Sequence, residues 1–360
     1  MGLEIVARPL QDPQWSAFVH QHPSALPFHH PSWATTVAEC YGFRAFALTL
    51  TNGGGIVAGL PVIEVRRRRE PTRWVSLPFT DSCPPLTSGD AGAVLAGRLD
   101  DARRAAGIGR LEVRGELEVR GEREGGEPEV RGDSGGPAVH PYGTFLAHRT
   151  PLTGTEQEVF ARLHANQVRR NIRRAQRAGV SVRIGETEAD LTEIFYGLHT
   201  RTRRRLGVPV QPLRYFRLLW RNVLQPGHGA VMIAEWHGRP AAAAVFLTSA
   251  GTCVYKYGAS DERRWDVRPN HLLFWEAIRW ARAKGCRTLD FGRTDLEDRG
   301  LWEFKARWGT VVQELTYYVI ADGPPGAGRN GMPAPVRSMI RHGPQIVPRA
   351  LGELLYRRYA

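Results

Sequence analysis

Lysine is almost missing from this chain: of its 49 basic residues only Lys256, Lys284 and Lys305 are lysines. With Gly, Ala and Pro also abundant, this reads as the coding bias of a GC-rich genome, so part of the formal charge of +13 reflects composition rather than a partner. The bias makes each lysine informative, because arginine was available wherever only positive charge was needed and the two side chains differ chemically. Cysteine is scarce too. Cys40, Cys83, Cys253 and Cys286 lie far apart without a CxxC pair, which argues against a disulfide framework or a thiolate zinc site and fits a reducing compartment. Long apolar runs are missing. Ala241 to Leu247 is the longest, one buried strand against the roughly 20 residues of a membrane span. The N-terminus shows no basic start followed by an apolar stretch, so the expectation is a cytoplasmic protein.

Catalytic signatures are absent as well. No HExxH, no G-x-S-x-G elbow and no Gly-rich pyrophosphate loop occurs, which argues against a zincin, an α/β-hydrolase triad and a simple acetyl-CoA site. His29 and His30 invite a metal or a general base, but no third ligand follows at a recognisable spacing. Packing near a helix start is the reading, and no metal is expected.

What is present suits a folded protein of two domains: 360 residues, 42% hydrophobic and 24% charged, against roughly 150 residues per domain. A short helix near Trp33–Tyr41 precedes two strands, FRAFALTL and IVAGLPVIEV, joined by the turn-rich TNGGG, and WVSLPF begins another. LEVRGE then occurs twice in tandem and PEVRGD follows; the stretch 111–133 reads as a low-complexity, mobile insert. From Thr155 the period turns helical, with Val168, Ile172 and Ala175 apolar and Gly179 as a C-cap before VSVRI. Helices around 188–206 and 213–224, three strands and a helix beginning near Pro269 and Asn270 follow, then the strand RTLDFG. This order is that of a mixed α/β sheet. The expected division is 1–150, 151–320 and a Pro/Gly-rich tail 321–360 ending in a short helix, Ala350–Tyr359.

The chemistry concentrates between Val254 and Gly309. Asp290 and Arg293 of DFGRT stand at a strand end, where Asp290 can orient or deprotonate an amine and Arg293 can grip a carboxylate or phosphate; a buried Asp–Arg pair is the structural alternative. On VYKYGAS, Lys256 alternates with Tyr255 and Tyr257 and so faces away from both, with cross-strand packing of the tyrosines as the alternative to substrate contact. Asn270 either binds substrate or caps its helix, the cap being favoured. Arg170, Arg173 and Arg174 belong to a basic helical stripe that suits phosphates or simply faces solvent.

These segments, FHHPSW (Phe28–Trp33), SLPF (Ser76–Phe79), VRRNIRRAQRAGV (Val168–Val180), DFGRT and GLWEFKARWG, resemble the FemAB-like, double-GNAT acyltransferases over roughly residues 25–320. The resemblance implies an α/β (α+β) fold of two tandem GNAT-like domains, each a mixed, mostly antiparallel sheet flanked by helices. It implies an N-acyltransferase without a tightly bound cofactor. An amine on a cell-envelope precursor or amino sugar attacks an activated acyl group, taken from acyl-CoA or, in the alternative, from aminoacyl-tRNA onto a peptidoglycan precursor. Lys305 and Asp290 are the implied catalytic residues. Arg293, Lys256, Tyr255, Tyr257, Asn270, Arg170, Arg174 and Trp308 are the implied substrate contacts. Peripheral contact with the inner membrane surface and with tRNA, but not DNA, fits this picture; a non-catalytic RNA- or membrane-binding module is the rival.

Overall fold

The structure is a computed structural model, and residues 2–67, 70–118, 138–324, 334–342 and Gly352 are described. The chain divides into two compact units, the first made of Met1–Leu146 with Glu314–Arg329, the second of Ala147–Gln313 with Asn330–Ala360. The first unit thus takes back a C-terminal segment, which a division into consecutive domains does not anticipate.

Unit 1 runs β1 (Glu4–Arg8), α1 (Pro13–Gln21), α2 (Pro31–Tyr41), β2 (Arg44–Asn52), β3 (Gly55–Arg67), β4 (Glu70–Val75), β5 (Leu86–Thr87), α3 (Gly92–Ala105), β6 (Arg110–Arg114) and the first part of β7 (Val139–Pro151). β1 to β4 pair antiparallel in sequence order. Alternation along β2 sends Phe46, Leu48 and Leu50 toward Leu95 and Leu99 of α3, and Ala47 toward Trp15 and Val19 of α1. β4 and β6 pair parallel over three positions, Arg73 to Val75 against Arg110 to Glu112. The first LEVRGE copy is therefore a core strand, not an insert: Leu111 and Val113 are fully buried, and Glu112 is neutralised by Arg73 at 3.1 Å and Arg110 at 2.8 Å. Residues 119–137 of the expected insert lie outside the described residues.

Unit 2 contains α4 (Glu156–Arg162), α5 (Arg170–Arg177), β8 (Ser181–Ile184), α6 (Tyr196–Leu206), α7 (Leu213–Leu219), β9 (Gly229–Trp236), β10 (Arg239–Ser249), β11 (Thr252–Ser260), α8 (Pro269–Ala283), β12 (Thr288–Asp295) and α9 (Arg299–Ala306); β13 (Val311–Ala321) begins in it, and α10 (Ala334–His342) follows. β8 to β11 are antiparallel in sequence order, and β11 meets β12 parallel across the α8 crossover. Ala242, Ala244 and Phe246 face a core built with Ile172, Ala175, Phe274 and Ile278 of α5 and α8. Each unit therefore ends an antiparallel meander in a short parallel pair with a helix between its strands. This is the tandem repeat expected, and its sheets are mixed and mostly antiparallel. The expected terminal helix at 350–359 falls outside the described residues apart from Gly352; α10 is a helix the sequence reading did not anticipate.

Candidate functional site

The parallel pair of unit 2 holds register for only three positions, Thr252, Cys253 and Val254 against Thr288, Leu289 and Asp290, and then parts. On its other edge β11 is bulged: Val245 lies opposite Tyr257 and Phe246 opposite Tyr255, so Lys256 is the extra residue of the bulge. One extra residue reverses the alternation. Tyr255 packs on Phe274 and Phe291, with ring centroids 4.8 and 6.3 Å away, and burial pushes its phenol up to about 12. Tyr257 points to the opposite face, where its hydroxyl donates to Tyr215 Oη at 3.0 Å and its ring meets Phe216 and His199. The expected common face of the two tyrosines is thereby corrected; of the pair, Tyr255 is core. The Lys256 ammonium lies 5.4 Å from the centroid of the Tyr257 ring.

Opposite Val254, Asp290 is 5% exposed. Its Oδ1 accepts from Gly292 N at 2.7 Å and its Oδ2 from Arg149 Nε at 3.1 Å, while Arg149 Nη1 donates to Gln313 Oε1 at 2.7 Å. The buried pair that sequence held as the alternative does form, but with Arg149 rather than Arg293. Gly292 adopts a left-handed φ of 71°, available to glycine at little cost. Beyond this bend the carbonyls of Gly292 and Arg293 accept from Lys305 Nζ at 2.9 and 2.8 Å. Lys305 is 3% exposed, so it is no surface lysine; its compact ammonium serves two carbonyls at one point, a task a planar guanidinium performs poorly. Arg293 is half-buried, with Nη2 3.9 Å from Asp295 Oδ1.

Two residues of this cluster escaped the sequence reading. Arg149 and His148 sit on β7, where nothing in an ordinary strand pattern marks them. His148 is fully buried with Nδ1 3.4 Å from Thr310 Oγ1, and burial, aided by the Lys305 charge, lowers it to about 4, so it is neutral at pH 7. Its Nε2 has no hydrogen-bond partner among the described residues.

Other candidates separate from the cluster. Trp308 is 1% exposed and packs with Phe274, Phe291 and Phe304, within the aromatic core. Asn270 is the second residue of α8 and not its cap, a position held by Arg268 with φ of 58°. Arg170 and Arg174 are exposed on α5, while Ile172 and Ala175 of the same helix are buried. His29 is buried with Nδ1 accepting from Leu26 N and Nε2 bonded to Pro84 O, and burial lowers it to about 4; His30 caps α2. Both histidines are structural. Cys253 and Cys286 are buried, and burial raises both thiols. Among the described residues no three of His, Cys, Asp and Glu converge as a metal site requires.

Residues 162–306 match the acetyltransferase (GNAT) domain family. Over 87% of this chain the fold superposes on the crystal structure of FemX, covering 96% of it, with a TM-score of 0.66 at 18% identity. The chain shares the fold of FemX, and its residues 162–306 resemble a GNAT domain. A tandem GNAT protein from the clavulanic acid biosynthesis pathway shares the fold at a TM-score of 0.50 and 14% identity, over 90% of this chain and all of that one. Over 77 residues the chain is 39% identical to the lipid II:glycine glycyltransferase of Staphylococcus haemolyticus and 38% to that of Staphylococcus aureus. Those matches cover 20% of this chain and 18% of each relative, so they reach only a fraction of the relatives' length. No helix among the described residues is long and apolar enough to cross a membrane.

Proposed function

We propose that this protein is an N-acyltransferase that moves an aminoacyl group from aminoacyl-tRNA to an amine of a cell-envelope precursor. The observation that carries the reading is the opening between β11 and β12, where the strands part beside Lys256, Asp290 and Arg293. A carbonyl seated there meets backbone groups released from strand pairing and a cluster of positive charge. The family resemblance and the likeness to lipid II:glycine glycyltransferases support an amine acceptor and an aminoacyl donor. In the step itself the amine nitrogen bonds to the ester carbonyl carbon, the ester C–O bond breaks, and the departing ribose hydroxyl takes a proton. Asp290, fixed by Arg149, receives the proton shed by the amine; Arg293 holds a carboxylate or phosphate of the acceptor. Lys305 acts through the bend at Gly292 and Arg293 and adds positive charge behind the opening. The family resemblance implies direct attack without a covalent enzyme intermediate, and the burial of Cys253 and Cys286 argues against a cysteinyl one.

The test supplies labelled aminoacyl-tRNA and, separately, labelled acetyl-CoA together with lipid II or its UDP-linked precursor. Label transfer that ribonuclease abolishes is the expected result. Ribonuclease-resistant transfer from acetyl-CoA would replace the donor, and salt-sensitive RNA binding without transfer from either donor would contradict an enzyme.

A further inference from the structure

Unit 2 carries an arginine-lined cleft that the transfer reading does not use. It has a volume of about 570 Å³ and opens between α6, the turn at Ser260–Arg263 and α10. Arg201, Arg204 and Arg205 line it from one face of α6, joined by Arg263 and by Arg341 of α10. Against these five cations stand two carboxylates, and both are already engaged. Asp261, 5% exposed, is gripped by Arg263 through Nε at 3.0 Å and Nη2 at 2.7 Å, with Arg201 at 3.7 Å. Glu262 lies 3.4 Å from Arg205, whose guanidinium also sits 4.5 Å from the centroid of the Trp265 ring. Arg204 and Arg341 have no carboxylate partner among the described residues, and Arg204 Nε is a buried donor without an acceptor.

The walls are fixed by local bonds. Thr202 Oγ1 accepts from Ser260 N at 3.2 Å and donates to Ser260 O at 3.4 Å, and Trp265 Nε1 donates to Ser260 Oγ at 2.9 Å. A buried donor without an acceptor is a standing cost to the fold unless something fills it. Guanidinium groups held in this way suit phosphate oxygens, which they bind in bidentate fashion. We propose that this cleft binds a ligand carrying adjacent phosphate groups, with Arg204 and Arg341 as its principal contacts. Either a nucleotide diphosphate or an RNA backbone supplies that chemistry. The site rests on its own charge and geometry and stands or falls independently of acyl transfer.

The test titrates the full chain with inorganic pyrophosphate by calorimetry, at low and at physiological salt, for wild type, Arg204→Gln, Arg341→Gln and, as a charge control, Arg217→Gln on the exposed surface. Saturable binding is expected, weakened on the order of tenfold by each cleft variant and little by the control, as for loss of one charge-assisted contact. Unchanged melting of the variants in the absence of ligand shows that the fold persists. Coenzyme A competing with pyrophosphate identifies a nucleotide diphosphate, and a short RNA competing in its place identifies a phosphodiester backbone; either supports the site. No saturable binding, or equal weakening by Arg217→Gln, would overturn it.

Discussion

Lys305 donates to the Gly292 and Arg293 carbonyls from a position that is almost wholly buried. Lys305→Met keeps the aliphatic volume and removes the ammonium, leaving two carbonyls short of a donor at about 1–3 kcal/mol each. A fall of that size in denaturant midpoint, with the slope unchanged, is the expected outcome; a midpoint equal to wild type would mean that the clamp does not hold the bend. Lys305 stood out in the sequence because it is one of three lysines in a chain that otherwise uses arginine. Its bonding was not legible, since the carbonyls it serves lie on a different element. Trp308 shows the opposite case: it shares the motif of Lys305, and only the aromatic cluster around it reveals it as core.

The bulge at Lys256 decides which side chains face which way along β11. An inserted residue leaves the apolar pattern of a short strand intact, so alternation alone assigned both tyrosines to one face. Deleting Lys256 should restore regular pairing and turn Tyr257 toward the α8 side, with loss of cooperative unfolding or a severe drop in melting temperature. The milder Tyr257→Phe removes one hydroxyl bond to Tyr215 and should cost about 0.5–1.5 kcal/mol. A deletion variant that melts like wild type would show that the register tolerates either face. β6 was illegible for a related reason. Glu112 reads as part of a charged repeat, and only the arginines beside it on β4 and β6, Arg73 and Arg110, make it a buried strand residue.

Across the whole molecule, His29 in unit 1 and His148, His199 and His271 in unit 2 are held neutral, with burial the leading cause: His199 at about 3 and the others at about 4. An unfolded histidine takes up its proton near pH 6.5. The stability these groups contribute is therefore fully present above pH 6.5 and is lost progressively as pH falls from 6.5 toward 4, where the native state must begin to accept the same protons. Melting temperature should be level from pH 7 to 8 and fall steeply between pH 6 and 4, and His29→Gln together with His199→Gln should flatten the slope. An acid limb unaltered in the double variant would exclude these groups as its source. The exposed arginines of α5 act at the same scale. If tRNA passes over this helix, replacing Arg170 and Arg174 by Gln should lower the salt slope of RNA binding by about one per lost phosphate contact. The mixed α/β order was legible from apolar periodicity and the tandem architecture from the family resemblance, while the return of Glu314–Arg329 to unit 1 depends on long-range pairing of β13 with β6.

The most direct measurement is single-turnover transfer from labelled aminoacyl-tRNA to a lipid-linked or UDP-linked precursor by wild type and Arg293→Gln, with unfolding midpoints recorded on the same samples. Transfer by wild type that falls on the order of a hundredfold in the variant, with the midpoint unchanged, is the outcome expected for a group acting on the reacting partners at the β11–β12 opening. Equal rates in the two proteins, or no transfer by a folded wild type, would contradict it.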